Sequence, residues 1–149
     1  MIELKEVTWE KFREYLSHQD KKNVPLTSYL LRKKQNGPGY YVRRKSPYGD
    51  DSLFYVLVDE SRLLATCNLY VNEAENSVWI SSYQTMGNQR GKGYGKLLFE
   101  KIKELYPGMS FELTYMDATK GYPCSKSFWE KIGFKQCGDL KLMELPADK

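Results

Sequence analysis

A glycine-rich, basic segment is the part of this sequence best suited to chemistry. Residues 87–96 read Gly-Asn-Gln-Arg-Gly-Lys-Gly-Tyr-Gly-Lys. Glycines at alternate positions allow successive backbone N–H groups to point toward one spot, and the positive end of a following helix adds to their field. The segment therefore predicts a site for a phosphate or diphosphate group. The simpler alternative is a flexible turn with solvated lysines.

Two common phosphate motifs do not match this segment. A Walker loop needs Ser or Thr after the Gly91-Lys92 pair, but Gly93 follows it. The dinucleotide fingerprint GxGxxG needs a third glycine where the chain has Lys96. Residues 92–99 come close to an RNA-recognition signature. That signature must lie on a strand, whereas the spacing of the leucines that follow predicts a helix.

The same residues resemble the pyrophosphate-binding signature of the GNAT superfamily of acyl-CoA N-acyltransferases. Arg90, Gly93 and Gly95 match its pattern Q/R-x-x-G-x-G/A. Residues 127–134, Ser-Phe-Trp-Glu-Lys-Ile-Gly-Phe, resemble the family's C-terminal F-Y-x-x-x-G-F segment. The two segments occur in the family's order, and the resemblance covers residues 53–145 in predicted layout.

The resemblance implies where acetyl-CoA would bind as the acyl donor. In the family, pantetheine inserts between the fourth strand and the parallel strand that follows, and the diphosphate rests on the glycine turn. Ser125 is equally well explained as a helix cap, and Tyr94 and Phe128 as core residues. The cofactor-binding residues that the resemblance implies are Thr85, Met86, Arg90, Gly91, Lys92, Gly93, Tyr94, Gly95, Lys96, Ser125 and Phe128.

The resemblance also implies two catalytic groups. The backbone N–H of Met86 would face the thioester carbonyl and stabilise the developing oxyanion. The family's usual proton donor is a tyrosine, but this chain has Trp129 there. Tyr122 is the favoured replacement, ahead of Tyr115. Two alternatives stay open: the thiolate leaves without a side-chain acid, or the chain binds acyl-CoA without catalysis.

A general base for the acceptor amine is harder to assign. A free amine with a pKa near 10 is mostly protonated at neutral pH, so a base or a relaying water must act. The predicted strand over residues 78–86 contains no carboxylate. Glu112 and Asp117 are the nearest acids along the chain, and each is also compatible with a solvated surface position.

The surrounding pattern predicts an α+β fold whose mixed sheet is an antiparallel meander with one parallel pair, in a single domain over residues 1–149. The resemblance implies a GNAT-like arrangement, with helices on both faces of the sheet and the parallel pair splayed around the cofactor. The predicted helices cover residues 9–17, 26–34, 94–106 and 125–132, with a loop over residues 37–52. The predicted strands cover residues 2–7, 53–59, 62–71, 78–85, 111–116, 134–137 and 140–145.

Composition narrows the class of protein. A net charge of +4 permits an anionic ligand without requiring one. The lone His18 and three cysteines without CxxC spacing argue against a zinc site or a disulfide framework, so no metal is expected. The longest apolar run, residues 53–58, is far too short to span a membrane. We therefore expect a cytoplasmic protein. The resemblance to the GNAT superfamily implies that it is an enzyme, monomeric or homodimeric, whose partners are acetyl-CoA and an unidentified primary amine.

The rival class is a nucleic-acid-binding module. It would use the Lys92-Gly93-Tyr94-Gly95 stretch together with the basic, tyrosine-rich loop over residues 40–48. That loop is equally compatible with a roof over an acceptor pocket or with a solvated surface.

Overall fold

The structure, a computed structural model, describes residues 1–19, 31–33, 35, 40–115, 125–138 and 141–147. A short 3-10 helix, Gly87–Gln89, lies between the sixth strand and the second α-helix. The elements of the described residues are, in chain order, β1 (Ile2–Val7), α1 (Trp9–Ser17), β2 (Leu31–Lys33), β3 (Tyr40–Val42), β4 (Leu53–Asp59), β5 (Arg62–Asn72), β6 (Ser77–Thr85), α2 (Tyr94–Leu105), β7 (Ser110–Thr114), α3 (Lys126–Ile132), β8 (Lys135–Gln136) and β9 (Leu142–Leu145).

The main sheet has seven strands among the described residues, in the order β1-β4-β5-β6-β7-β9-β8. Within it, β6 and β7 run parallel and the other neighbours are antiparallel. The helical stretch between β6 and β7 explains this pairing, because a parallel connection requires a crossover. The predicted mixed sheet with one parallel pair is confirmed.

Helix α1 covers one face of the sheet. The Thr8 side chain accepts a hydrogen bond from the Lys11 N–H at 3.2 Å, which caps the helix. The face that α1 buries carries Trp9, Phe12 and Leu16, and these pack against Phe54, Val56 and Val58 of β4.

Helices α2 and α3 cover the opposite face. Leu98, Phe99 and Ile102 of α2 are buried there against Tyr55 and Leu57 of β4. Leu105 follows the same helical spacing as Leu98 and Ile102 but is 49% exposed. Phe99, one residue after Leu98, packs against Phe111 and Trp129.

The prediction of a helix over residues 26–34 is wrong for residues 31–33. These residues form β2, which pairs with β3 so that Leu31 lies opposite Val42 and Lys33 opposite Tyr40. The basic stretch is compatible with a helix in isolation, but backbone pairing with β3 overrides that weak local preference. The other residues of this segment lie outside the described part of the chain, and β3 replaces part of the predicted loop over 37–52.

Strand β6 changes direction at Ser81. Its register against β5 runs Asn68↔Ser82 and then Leu69↔Ile80, so Ser81 is the extra residue of a β-bulge. Pairing with β7 ends at Ile80↔Leu113, one residue before the bulge. A bulge bends a strand and increases its twist. We attribute the divergence of β6 from β7 to this bend.

Candidate functional site

The divergence of β6 and β7 leaves a gap with a cavity of about 110 Å³. We call this space the strand gap. The Ser81 hydroxyl at its wall is buried and has no hydrogen-bond partner among the residues the structure describes. A buried hydroxyl of this kind favours a polar occupant. The lining residues are Ile80, Ser81, Ser82 and Tyr83 of β6, Leu113 and Thr114 of β7, and Ser125, Phe128 and Trp129 at α3.

Backbone groups of β6 point into the strand gap at every second residue. The Met86 N–H donates to the Leu64 carbonyl of β5 at 3.0 Å. In an antiparallel pair, alternate residues direct their peptide groups toward and away from the partner strand. Because Met86 points toward β5, the peptide groups of Thr85 and Tyr83 point away from it, toward the gap.

This geometry corrects one expectation from the sequence. In this structure the Met86 N–H is bonded within the sheet, and the Met86 side chain is fully buried on the α1 side. It therefore does not face a carbonyl in the gap. The peptide group of Thr85 points toward the gap, as expected. The sequence analysis does not identify Tyr83 as a backbone donor, but the Tyr83 peptide group has the orientation expected for Met86.

The glycine turn presents open backbone at the start of α2. Gly91 and Gly93 have φ values of +79° and +83°, and a Cβ placed on either would meet no atom within 4 Å. Gly93 is the N-cap, and the first bond of the helix runs from the Leu97 N–H to the Gly93 carbonyl at 3.1 Å. The N–H groups of Tyr94, Gly95 and Lys96 precede that bond and have no acceptor within the helix.

Gly95 serves a different purpose, which is close packing. A Cβ there would lie 3.2 Å from the Phe128 ring and 3.3 Å from the Thr85 hydroxyl oxygen. The start of α2 therefore touches both the end of β6 and helix α3. This contact brings Thr85, Gly95 and Phe128 together, although they are distant in the sequence.

Positive charge surrounds the turn. Arg90, Lys92 and Lys96 are exposed, and the first turn of α2 contains no acidic residue. The Lys92 ammonium donates to the Gln89 side-chain oxygen at 3.2 Å, and Gln89 is itself buried. With the helix dipole, these cations make the turn attractive to an anion.

An aromatic cluster forms the floor of the strand gap. Trp129 is 4% exposed, and its ring lies 4.7 Å from that of Tyr83 and 4.9 Å from that of Phe128, centre to centre. The Tyr83 hydroxyl donates to the Gly95 carbonyl. Burial raises the pKa of the Tyr83 hydroxyl, so it stays protonated and is a poor proton donor at neutral pH. Trp129 is a packing residue here, and Tyr83 fixes the helix start.

The remaining candidate residues lie outside the described part of the chain or away from the strand gap, except for Ser125. Tyr122 and Asp117 lie outside the described part of the chain. Glu112 lies on β7 opposite Trp79 and Glu144, within the paired part of β6 and β7. It does not line the strand gap. Ser125 does line the gap, and its side chain makes no capping bond to α3.

Sequence reasoning missed a group of buried polar residues on the α1 side of β5 and β6. Their signal was available, because Ser82 and Gln84 alternate with Tyr83 and Thr85 along β6. The mostly apolar sequence of β5 predicts a buried strand, so it does not indicate the polar residues within it. The group, which we call the polar quartet, consists of Thr66, Asn68, Ser82 and Gln84.

The position of residues 92–95 also bears on nucleic-acid binding. They lie in the turn and the first turn of α2 and not on a strand. The RNA-recognition signature needs its aromatic side chains on a sheet surface, so this segment does not form one. No helix in the described part of the chain has the length and apolarity required to cross a membrane.

Comparisons with known proteins agree with this architecture. A profile of the acetyltransferase (GNAT) family matches residues 4–134. Similar solved structures include nourseothricin acetyltransferase, with a TM-score of 0.62 and 16% identity over 99% of each chain. The PaiA N-acetyltransferase of Thermoplasma acidophilum, in complex with coenzyme A, has a TM-score of 0.62 and 16% identity over 98% of this chain and 99% of that one. The Escherichia coli protein YhhK, bound to coenzyme A, has a TM-score of 0.61 and 17% identity over 99% of this chain and 98% of that one. No curated protein matches the chain.

Proposed function

Because the chain belongs to the acetyltransferase (GNAT) family, we propose that it is an N-acetyltransferase that moves an acetyl group from acetyl-CoA to a primary amine. We further propose that residues 1–149 form one domain that acts in the cytoplasm without a metal. The acyl donor would lie across the strand gap and the glycine turn, and the acceptor amine would approach from the opposite end of the gap.

The contact of Gly95 with Thr85 and Phe128 is the observation that carries this proposal. It makes the strand gap and the anion-attracting turn two ends of one continuous surface. A ligand that joins a neutral, amide-containing arm to a diphosphate matches that surface. Coenzyme A has this composition, and two of the similar structures contain it.

We assign the binding roles from backbone direction. The carbonyl of Tyr83 and the peptide groups of Thr85 would bond the pantetheine arm in the manner of an added strand. The N–H groups of Tyr94, Gly95 and Lys96 would hold the diphosphate, with Gly91 and Gly93 leaving room for it. Arg90 and Lys92 would add positive charge beside it. Ser125, Ser81 and the Phe128 ring would line the narrow end.

In the reaction, the amine nitrogen bonds to the thioester carbon, the carbon–sulfur bond breaks, and the amine loses a proton. The Tyr83 N–H, in place of that of Met86, would donate to the carbonyl oxygen as negative charge develops there. Tyr122 remains the proposed donor of a proton to the departing thiolate. The buried Tyr83 hydroxyl and the Trp129 indole are unsuited to that step.

Calorimetric titration with acetyl-CoA and desulfo-CoA tests the binding site. Gly93→Val should weaken binding of both by about 100-fold or more, because the side chain blocks donors that bind a charged diphosphate. Gly93→Asn should weaken binding too, although Asn tolerates this left-handed backbone. Equal affinity in wild type and both variants would refute the site.

Gly108→Val is the matched control for the Gly93 substitution. Gly108 also has a positive φ, +76°, with nothing within 4 Å of an added Cβ, but it lies at the far end of α2. The two Val variants should lose similar stability, about 1–3 kcal/mol. Only the Gly93 variant should lose affinity for CoA.

The role of Tyr122 is tested separately by turnover. Tyr122→Phe should lower the rate of thiol release in the presence of an accepted amine, with little change in CoA affinity. An unchanged rate would remove Tyr122 from the mechanism and favour departure of the thiolate without a side-chain acid. Thiol release with a panel of primary amines also distinguishes an enzyme from a chain that only binds acyl-CoA.

A further inference from the structure

The polar quartet forms two adjacent cross-strand pairs on the α1 side of the sheet. Thr66 lies opposite Gln84, and Asn68 lies opposite Ser82. Thr66 and Asn68 are each 1% exposed, Gln84 is 5% exposed and Ser82 is 8% exposed. Side chains directly opposite each other on one face are close enough to act on one ligand group.

Most of the polar atoms in the quartet have no partner. Among the described residues, none bonds the Thr66 hydroxyl, the Asn68 oxygen, or either polar atom of the Gln84 amide. The Asn68 nitrogen donates to the Leu53 carbonyl at 3.0 Å, which fixes the orientation of that amide and leaves its oxygen as the unpaired acceptor. Each buried unpaired group is destabilising by about 1–3 kcal/mol. Such a concentration of unpaired groups indicates a site that a ligand completes.

The quartet adjoins the strand gap at one residue, Ser82. Ser82 belongs to the quartet and also lines the gap. Its neighbour Tyr83 directs its N–H toward the gap, where the thioester carbonyl would lie under the proposed function. A molecule that reaches the quartet at Ser82 is therefore next to the reacting carbon.

We propose that the polar quartet is the acceptor subsite and that it binds an uncharged amide group adjacent to the acceptor amine, as in an amino-acid amide or a peptide. This inference rests on the proposed function. The quartet offers both N–H donors and oxygen acceptors, all uncharged, and an amide presents the complementary pair. A carboxylate would face the fixed Asn68 oxygen, and an ammonium would be buried without a counter-charge from the quartet.

Binding is tested first without turnover, by following the side-chain amide resonances of Gln84 in ¹⁵N-labelled protein. Acetamide is the probe, with acetate and methylammonium as charged comparisons, and each titration is done with and without desulfo-CoA. Acetamide should shift the Gln84 signals, and the charged probes should not. Absence of a shift with acetamide, or an equal shift with acetate or methylammonium, would overturn the proposal.

Turnover gives the second test. Three substrates place a different group next to the acceptor amine: an amide in glycinamide, a carboxylate in glycine and a second amine in ethylenediamine. Compared per unprotonated amine, kcat/KM for glycinamide should exceed that for the other two by about tenfold or more, the value of one good hydrogen bond. A preference for glycine or ethylenediamine would overturn the amide assignment.

Two variants connect these readouts to the quartet. Thr66→Val and Gln84→Leu should each lower acetamide affinity and glycinamide kcat/KM by about tenfold. Thr66→Val should also leave the melting temperature unchanged or raise it, because it removes a buried hydroxyl that has no partner. Gln136→Leu, on exposed β8, is the matched control and should change neither quantity.

The outcomes separate the two proposals. Loss of CoA binding in wild-type protein would remove the proposed function, and the acetamide titration of the free protein would still test the quartet. Normal CoA binding combined with unaltered acetamide affinity in Thr66→Val and Gln84→Leu would overturn the quartet alone. A lower melting temperature in Thr66→Val, without any change in selectivity, would show a structural role and also overturn it.

Discussion

The two faces of β6 differ in how their polar groups are satisfied. On the α2–α3 side, the Tyr83 hydroxyl is bonded to the Gly95 carbonyl and its ring is enclosed by Phe128 and Trp129. On the α1 side, Gln84 and the Thr66 hydroxyl opposite it are buried without partners among the described residues. The Tyr83 hydroxyl therefore has its partner within the protein, whereas most of the buried polar atoms of the quartet have none, at a cost that the rest of the fold tolerates. Under the proposed function, the aromatic floor beside the acyl donor forms without a ligand, and the quartet gains its partners from the acceptor.

The largest expected effect is on the α2–α3 side. Trp129→Ala should lower the free energy of unfolding by about 3–5 kcal/mol, because it empties the centre of a cluster that includes Tyr83, Phe99 and Phe134. Urea denaturation followed by circular dichroism measures it. A loss below about 1 kcal/mol would mean that this face is no better packed than the quartet, which would break the comparison.

Gly95→Ala should have the next largest effect. The added methyl group would press on the Phe128 ring and the Thr85 hydroxyl, and overpacking of this kind costs about 1–3 kcal/mol. CoA affinity should fall together with stability, in calorimetry and thermal melts on the same sample. Gly91→Ala, where the new group meets open space, separates backbone strain from this packing cost.

Tyr83→Phe should have a smaller effect that depends on pH. Loss of the bond to the Gly95 carbonyl should cost about 0.5–1.5 kcal/mol at pH 7. Because burial raises the pKa of Tyr83 in the folded state, the stability it contributes is complete below the ordinary tyrosine pKa of about 10 and is lost as the pH rises above it. Denaturation of both proteins at pH 7 and pH 11 should show the difference shrinking or reversing at the higher pH.

The smallest effect is expected at an exposed ion pair, which provides a reference for both faces. The Asp59 carboxylate accepts from the Met1 amino group at 3.0 Å and from Arg62 at 3.2 Å. The bond from the amino group, aided by Arg62, lowers the pKa of Asp59. Asp59→Asn should therefore reduce the melting temperature slightly at pH 7, and the difference should vanish as the pH falls below about 4. A drop as large as that of Gly95→Ala would contradict this ranking.

Much of the strand gap and the glycine turn could be predicted from the sequence. The apolar run over residues 53–58 matches β4, and the glycine turn lies between a strand and a helix as predicted. These features are local, since turn chemistry and side-chain period are set by neighbours in the chain. The Met86 assignment was wrong because the direction of a peptide group depends on pairing with Leu64, which no local pattern reveals.

The α1 side of the sheet, with the polar quartet, was much less predictable. Thr66 and Asn68 lie within a strand that reads as core, and their relation to Gln84 and Ser82 is a matter of strand register. Residues 31–33 were predicted as helix because their own pattern allows it, and only the pairing with β3 decides otherwise. Both cases depend on contacts between segments that are distant in the sequence.

The extra residue at Ser81 has a consequence for how such proteins can evolve. Before it, even-numbered residues such as Ile80 face α2, and after it the even-numbered Met86 faces α1. Loss of that single codon would remove the bulge and its bend, yet Gln84 would stay opposite Thr66 and Tyr83 opposite Cys67. An alignment without a gap at Ser81, against a relative that lacks the extra residue, would therefore assign the residues of one side of the strand to the other.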